Sequence, residues 1–401
     1  MDDLLTNKLR RIEPNLNLRV SLSLLRYIGN WSPTGRYRSL YSLYTLLYFT
    51  FVLAIYLFVQ VAYMVVAWGD IERMIAGAFL LMTNTGTGYK MVVILIRKRR
   101  IQGLLDRVNS DTFTAYNVTY ERILTWYTWH GLFHHAAYQS LGGVSILCWT
   151  LAAIADIASG RGRRLPVESW YPFDTENSPV FEITCAQQIV GQLILCFHNI
   201  AMDTLVTNFI NVACCQLEIL RRNIEAIGRE DGDEVTGVGN DEACRKLNLT
   251  HRIELLLKIL TTCRLIFKQI IHLRLSFENE IRDIFGTSIL YQCLANCAII
   301  CLAAYHISRM DDYVPAELIG TALYLGGMAY QLFIYCWHGN ELALHVSIDD
   351  FAGEQAFFAC DVNGKLSNST ERTRSTGSLL RKLILRMSYS LFTVLQSSTA
   401  V

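Results

Sequence analysis

The chain has 401 residues, of which 52% are hydrophobic and 18% are charged, and its formal net charge is +1. Soluble domains carry close to a quarter charged residues, so this composition excludes an ordinary soluble protein and indicates that lipid is the main solvent. The near-zero net charge gives no reason to expect a nucleic-acid partner.

Six apolar runs are long enough to cross a lipid bilayer as helices, for which about 20 residues suffice. They lie at Leu40–Trp68, Met74–Ile96, Gly131–Ala155, Ile183–Met202, Ile284–Ile307 and Leu318–Trp337. A seventh run, Met387–Val401, reaches spanning length only if its helix begins near Ser378. The sequence therefore predicts an all-α membrane protein with seven transmembrane helices.

The positive charges predict how these helices are oriented. If the amino terminus is cytoplasmic, the four cytoplasmic segments hold 7, 6, 11 and 6 of the 36 Lys and Arg residues, and the outer loops hold five. Positive residues stay in the cytoplasm during insertion, so we expect an inverted topology with the amino terminus inside and the carboxyl terminus outside. Four glycosylation sequons then lie inside, where they stay unmodified: Asn30, Asn117, Asn248 and Asn368.

This orientation divides the chain into four predicted parts. They are a cytoplasmic N-terminal segment at 1–39, transmembrane helices 1–6 with a ligand-binding pocket at 40–337, a cytoplasmic loop at 338–377 and transmembrane helix 7 at 378–401. The fourth helix is expected to continue into the cytoplasm through Arg221 and Arg222, and an amphipathic helix is predicted over Leu247–Phe285. Between them, the acidic and glycine-rich segment Gly228–Asp241 is interpreted as a mobile linker.

The second outer loop, Ser159–Glu182, is the long one on the outer side. It is rich in aromatic residues and proline, which is typical of a structured lid over the helices and equally of an aromatic belt at the lipid headgroups. Within the fourth span, polar residues indicate that one face of the helix contacts protein or water. These polar residues are Gln187, Gln188, Gln192, His198, Asn199 and Asp203.

No known catalytic motif is present. The sequence lacks a phosphate-binding loop, a dinucleotide-type glycine pattern and a nucleophile elbow, so it predicts neither an enzyme nor a cofactor. His130 and His134 lie one helical turn apart, which is a spacing that metal sites use. Because the sequence places no further ligand beside them, an interfacial pair of neutral imidazoles is favoured and no metal site is predicted.

Four sequence strings are typical of one protein family: Trp-Tyr-Pro-Phe-Asp at 170–174, Tyr-Cys-Trp-His-Gly-Asn-Glu-Leu at 335–342, Ala-Phe-Phe-Ala-Cys-Asp at 356–361 and Ser-Tyr-Ser-Leu-Phe-Thr-Val-Leu at 388–395. In these strings the chain resembles insect odorant receptors. The chain departs from the family pattern at Val362, where a Trp is usual. It departs again at Asn363–Gly377, which is polar where the family has an apolar pattern.

The resemblance implies a function. It implies an odorant-gated, non-selective cation channel subunit that forms a hetero-tetramer with the odorant receptor co-receptor. It also implies a small volatile odorant as ligand, a place in the plasma membrane of the sensory dendrite, and an anchor between subunits made by cytoplasmic helical extensions.

The family resemblance and the predicted orientation together give candidate site residues. In the outer halves of helices 2–6, a mostly apolar set with a few hydroxyl groups is expected to bind the ligand: Phe79, Met82, Thr83, Ser145, Trp149, Thr150, Thr184, Gln188, Cys301, Tyr305, Thr321 and Leu325. Trp149 is the foremost candidate because it is large and rigid. The resemblance also assigns the pore to Thr393, Val394, Leu395 and Gln396, with Val394 as the hydrophobic constriction.

Two alternative functions are open at this stage. An insect gustatory receptor would share the topology and the channel role, but its Thr-Tyr pattern in the last helix is not found here. A G-protein-coupled receptor would have the opposite orientation, against which the positive charges argue.

Overall fold

The structure, a computed structural model, is built from helices. It describes residues 15–32, 38–110, 118–160, 163, 165–233, 276–277, 279–307 and 315–360, and within these ranges it contains no strand. The helices are α1 Leu16–Tyr27, α2 Arg38–Tyr48, α3 Ile55–Val66, α4 Ile71–Val108, α5 Val118–Ala158, α6 Val180–Asp233, α7 Asn279–Ile307 and α8 Pro315–Cys360. The fold class predicted from the sequence is confirmed as an all-helical membrane protein.

Six of the predicted spans correspond to these helices. α4 to α8 are each long and apolar enough to cross a membrane. The first predicted span is formed by α2, a π-helical segment at Phe49–Ala54 and α3, which follow one another directly. The seventh predicted span and the pore residues Thr393, Val394, Leu395 and Gln396 lie outside the described residues.

A tight turn makes α3 and α4 antiparallel neighbours. Gly69 adopts a φ of 97°, a left-handed conformation that glycine enters at little cost, and it ends the turn that follows α3. The Asp70 side chain then caps α4 by accepting a hydrogen bond from the Arg73 backbone N–H at 3.2 Å. Deeper in the bundle, the Asn84 amide donates to Gln60 at 3.0 Å across the same helix pair.

α6 is the central helix of the bundle. Two thirds of its most apolar stretch is buried, the largest such share among the spanning helices in the described part of the chain. α1 lies along one side of it, where Asn17 donates to Asn208 at 3.0 Å and Ser21 pairs with Thr204 at 3.0 Å. Gly131 of α5 allows this close approach, because a Cβ atom there would lie 2.4 Å from Asn208.

The helices extend well beyond a bilayer. α6 has 54 residues and is therefore about 80 Å long, against a hydrocarbon core of about 30 Å. The predicted extension of the fourth span past Arg222 is confirmed. The predicted start of the mobile linker at Gly228 is wrong, because helical hydrogen bonding continues to Asp233. α8 continues to Cys360 and so runs past Trp337, and the predicted cytoplasmic location of 338–377 stays a prediction.

The sequon at Asn30 is part of the packed core. Asn30 is 1% exposed, and its amide is 3.1 Å from His198 Nε2 on α6. A glycan has no room at this position. The other three sequons, at Asn117, Asn248 and Asn368, lie outside the described residues.

A buried ion pair fastens three of the long helices together. Lys90 of α4 contacts Asp203 of α6, with the two side chains 5% and 0% exposed. Lys90 also donates to Asn199 at 2.8 Å. From α8, Tyr335 donates to Asp203 Oδ1 at 2.8 Å, and Gln331 donates to the other carboxylate oxygen.

We predict that Lys90→Met strongly destabilises the bundle. The substitution leaves the Asp203 carboxylate buried without its cation, which costs about 3–5 kcal/mol. Thermal unfolding of the purified protein in detergent measures the loss, and the double variant Lys90→Met/Asp203→Asn should recover part of it.

The matched control for this prediction is a surface ion pair. Arg73 and Asp70 lie 3.6 Å apart with side chains 68% and 52% exposed. Arg73→Ala should therefore cost less than about 1 kcal/mol. Equal melting temperatures for the Lys90 and Arg73 variants would contradict the role given to the buried pair.

Candidate functional site

A cavity lies inside the bundle, where α4, α5, α6 and α8 face one another; we call it the central cavity. It is lined by Thr83, Asn84, Thr87, Tyr138, Gly142, Ser145, Ile146, Trp149, Gln192, Leu195, Cys196, Asn199, Ile200, Leu323, Tyr324, Gly327 and Met328. On each helix these residues recur at three- and four-residue spacings, so each helix contributes one face. The enclosed space is about 40 Å³, which is room for about three water molecules.

Most polar groups around the central cavity already have protein partners. Tyr324 pairs with the Thr83 hydroxyl and lies 3.3 Å from the Phe79 carbonyl oxygen. Gln192 accepts from the Tyr56 hydroxyl at 3.1 Å. These bonds leave the walls mainly apolar toward the interior, which suits a neutral ligand held by shape and dispersion.

Tyr138 carries a polar group of a different kind. Its side chain is 2% exposed, and its buried hydroxyl has no hydrogen-bond partner among the described residues. Buried hydroxyls are normally satisfied, and an unsatisfied one costs about 1–3 kcal/mol. Tyr138 can therefore supply one hydrogen bond to a polar atom of a ligand in this cavity.

A second cavity of about 50 Å³ lies beside the loop that joins α5 to α6; we call it the loop-side cavity. Its lining includes Phe79, Val167, His306 and Thr321. Trp149 lines both cavities and so separates them. Its indole N–H donates to the Thr321 hydroxyl at 3.2 Å, which fixes the ring against α8.

A glycine makes room for Trp149. A Cβ atom on Gly320 would lie 2.8 Å from the indole ring, and the Ser145 hydroxyl donates to the Gly320 carbonyl oxygen at 2.7 Å. These contacts bring α5 and α8 close together at this level. The position of the indole between the two cavities is therefore set by the backbone of α8.

The loop at 165–179 folds onto the end of the bundle. Val167 is buried beside Trp149, and its N–H and C=O both pair with the Gln188 side chain at 3.0 Å. The backbone N–H of Trp170 donates to the Val59 carbonyl oxygen of α3 at 3.0 Å. These contacts support the structured-lid interpretation of the sequence.

The lid is also held by Tyr171. Its hydroxyl donates to Gln187 at 2.9 Å. Burial raises the pKa of the Tyr171 hydroxyl, although a hydrogen bond from Gln188 opposes the shift, so the group stays protonated as a donor at physiological pH.

The polar residues of the fourth span prove to hold the bundle together. His198 lies 2.9 Å from the Tyr48 hydroxyl, and Asn199 accepts from Lys90. With Gln187, Gln188, Gln192 and Asp203 partnered as described above, each of the six has a hydrogen bond to protein. The prediction that one face of this helix contacts protein is confirmed.

The structure brings together five of the twelve predicted ligand residues. Thr83, Ser145 and Trp149 line the central cavity, and Phe79, Trp149 and Thr321 line the loop-side cavity. The other seven line neither of these two cavities: Met82, Thr150, Thr184, Gln188, Cys301, Tyr305 and Leu325. Thr150 and Thr184 instead donate to carbonyl groups of their own helices, and Cys301 is exposed.

Several lining residues were missed from the sequence, including Tyr138, Tyr324 and Met328. Helical spacing could have revealed Tyr138, because it lies seven positions before the predicted residue Ser145 and therefore on the same face of α5. The sequence alone could not reveal that Val167 packs beside Trp149 and pairs with the Gln188 side chain.

Comparisons with known proteins agree with one another. The family described as 7tm Odorant receptor matches residues 70–347. The chain is 26% identical to Odorant receptor Or1 of Anopheles gambiae, covering 94% of both chains. It is 23% identical to Odorant receptor 46a, isoform A, of Drosophila melanogaster, covering 68% of this chain and 65% of that one.

Solved structures show the same fold. The insect olfactory receptor OR5 from Machilis hrabei aligns with a TM-score of 0.63 at 15% identity, covering 92% of this chain and 88% of that one. The same receptor in complex with eugenol aligns with a TM-score of 0.59 at 17% identity, covering 94% and 97%.

Proposed function

The chain belongs to the insect odorant receptor family of seven-transmembrane proteins, and from this premise we propose that it is a subunit of an odorant-gated, non-selective cation channel. The family match favours this function over a gustatory receptor and over a G-protein-coupled receptor. The single observation that carries the ligand site is the central cavity, which is enclosed by four helices and walled mainly by apolar groups.

The ligand we propose is a small neutral volatile with one hydrogen-bonding oxygen. The apolar walls favour dispersion contacts, and the Tyr138 hydroxyl, which has no hydrogen-bond partner in the described part of the chain, offers a polar contact. A ligand of about ten heavy atoms gains only about 0.3–1.5 kcal/mol per atom, which favours micromolar potency.

Binding must enlarge the central cavity. A space of about 40 Å³ is smaller than such a ligand, so side chains have to move. Met328 is the most adaptable lining residue because its unbranched side chain changes rotamer easily. The free energy that opens the channel then comes from the difference in ligand affinity between the closed and open states.

We also propose the partners and the location that the family resemblance implies. The receptor assembles with the odorant receptor co-receptor as a hetero-tetramer in the plasma membrane of the sensory dendrite. The long extension of α6 beyond the bilayer supports an anchor between subunits on the cytoplasmic side. The twelve ligand-site residues predicted from the sequence remain proposals, and the five that line one of the two cavities are the first to test.

Gly327 gives the sharpest test of the central cavity. It lines the cavity, and a Cβ atom there meets no atom within 4 Å, so Gly327→Ala places a methyl group in the free space. We expect the half-maximal odorant concentration to rise about tenfold or more, because one methylene in a tight apolar pocket is worth about 1–3 kcal/mol. Current recordings with co-expressed co-receptor, first across an odour panel, measure this shift.

Gly326→Ala is the matched control. Gly326 is exposed, lies outside the cavity lining and also has open space at its Cβ. Both substitutions favour helix by about 1 kcal/mol, so neither should impair folding. Unchanged potency in Gly327→Ala, or an equal change in Gly326→Ala, would remove the central cavity from ligand binding.

Tyr138→Phe tests the polar contact separately. We expect it to reduce the potency of oxygenated odorants by up to about tenfold, since one hydrogen bond contributes about 0.5–1.5 kcal/mol. Hydrocarbon odorants of similar size should be unaffected. A uniform loss across both ligand classes would indicate a structural role instead.

The orientation proposed from the positive charges makes its own prediction. Asn117 and Asn248 should carry no glycan in cells, whereas a sequon introduced into the loop at 165–179 should be glycosylated. Endoglycosidase treatment followed by gel mobility measures both. A shift at either native site would reverse the proposed topology.

The pore assignment is tested at Val394, with Thr393, Leu395 and Gln396 beside it. A ring of valines that dewets blocks ions without charge, so Val394→Ser should raise basal current or change ion selectivity. Conductance that is unaltered in a functional complex would place the constriction elsewhere.

A further inference from the structure

Three histidine rings converge where α5 meets α8. His130 and His134 lie one turn apart on α5, and His338 arrives from α8. One ligand nitrogen from each ring lies within 4.8 Å of the other two. The fold therefore supplies the third ligand that the sequence could not place beside the α5 pair.

The spacing suits a transition metal. His130 Nε2 and His134 Nε2 are 3.2 Å apart. Two imidazole nitrogens bound tetrahedrally to Zn²⁺ at about 2.0–2.1 Å are about 3.3 Å from each other. The two rings stand nearly perpendicular, with an interplanar angle of 86°, so both can present a nitrogen to one ion without stacking.

His338 presents a buried nitrogen lone pair to the cluster. His338 is 1% exposed, and its Nδ1–H donates to the Ile334 carbonyl oxygen at 2.7 Å. That bond leaves Nε2 as the unprotonated nitrogen, and Nε2 has no hydrogen-bond partner among the described residues. Histidines that bind metals commonly donate their other N–H to a carbonyl group in this way.

The second ring is oriented in the same manner. His134 Nδ1 lies 2.7 Å from the Tyr330 hydroxyl, also on α8, which leaves Nε2 facing His130. His130 is stacked on Trp126 at 5.0 Å with an interplanar angle of 11°. Glu341, one turn beyond His338, adds negative charge, and its Oε2 is buried without a hydrogen-bond partner in the described residues.

We propose that His130, His134 and His338 form a binding site for a divalent transition-metal ion such as Zn²⁺. Three neutral imidazoles suit zinc, copper and nickel, and they exclude magnesium and calcium, which require oxygen ligands. The fourth coordination position is left for water. A metal ion bound there links α5 to α8. The Lys90–Asp203 ion pair lies between this link and the lid.

The test uses the full-length receptor in lipid nanodiscs. A Zn²⁺ titration in competition with a chelating fluorophore measures affinity, and a Co²⁺ titration followed by absorption spectroscopy reports the coordination geometry. Wild type should bind one metal ion per chain at this site, and Co²⁺ should show tetrahedral d–d absorption. His338→Gln and His130→Gln should each weaken Zn²⁺ affinity at least about 100-fold and remove that absorption.

His135→Gln is the matched control. His135 follows His134 directly, but its Nδ1 lies 2.8 Å from the Thr204 hydroxyl of α6, away from the cluster. It should leave metal binding unchanged. His130 is only partly buried, so the His130→Gln variant should fold. We expect Zn²⁺ to raise the melting temperature of the wild type but not that of His130→Gln.

Three results would overturn the proposal. They are a wild-type receptor without stoichiometric zinc, equal affinity in wild type and His130→Gln, and equal weakening by His135→Gln. Replacement of Tyr330 by Phe provides a further check, since loss of this orienting hydroxyl should weaken binding about tenfold.

Discussion

The contact between Lys90 and Asp203 determines how the long helices meet. Neither group is tolerated in a membrane interior unless it is partnered, so α4 and α6 must present these two side chains to each other at one depth. Tyr335 and Gln331 add α8 to the same point, and Gln331 also accepts hydrogen bonds from Gln292 and Asn296 of α7. A one-turn shift of any of these helices would leave a charge or an amide unpaired in an apolar medium.

The central cavity depends on this fixed register. Asn199 takes part in the ion-pair cluster and also lines the central cavity, so the floor of the cavity and the fastening of the helices share a residue. Toward the lid, small residues set the spacing instead: Gly320 lets α8 approach Trp149, and Gly142 faces Cys196, where a Cβ atom would lie 2.6 Å from the sulfur. The helices around the cavity are therefore held apart at a fixed spacing, by polar contacts at one end and by close backbone packing at the other.

The sequence predicted what depends on composition and local spacing, and missed what depends on long-range contacts. Apolar runs were enough to locate six spans, and the polar residues around Asp203 were enough to predict an interior helix. Trp149 was chosen because it is large and rigid, and it lines both cavities. Tyr138 and His338 were not, because nothing local shows that the Tyr138 hydroxyl lacks a partner or that His338 approaches His134. The linker boundary was wrong for a related reason, since glycine and acidic residues lower helix propensity but do not stop a helix that already spans a membrane.

α8 carries residues of three features of the bundle: the central cavity, the ion pair and the histidine cluster. Along it, in order, are Tyr324 at the central cavity, Gln331 and Tyr335 at the ion pair, and His338 at the histidine cluster. Under the proposed function, a ligand that displaces Tyr324 would move α8, whose next contacts are the hydrogen bonds of Gln331 and Tyr335 to Asp203. Because each of these hydrogen bonds is either made or broken, a small displacement of α8 switches the bundle between two discrete packing arrangements. An ion held by His338 would add a further fixed contact to α8 and so bias the same choice from its other end.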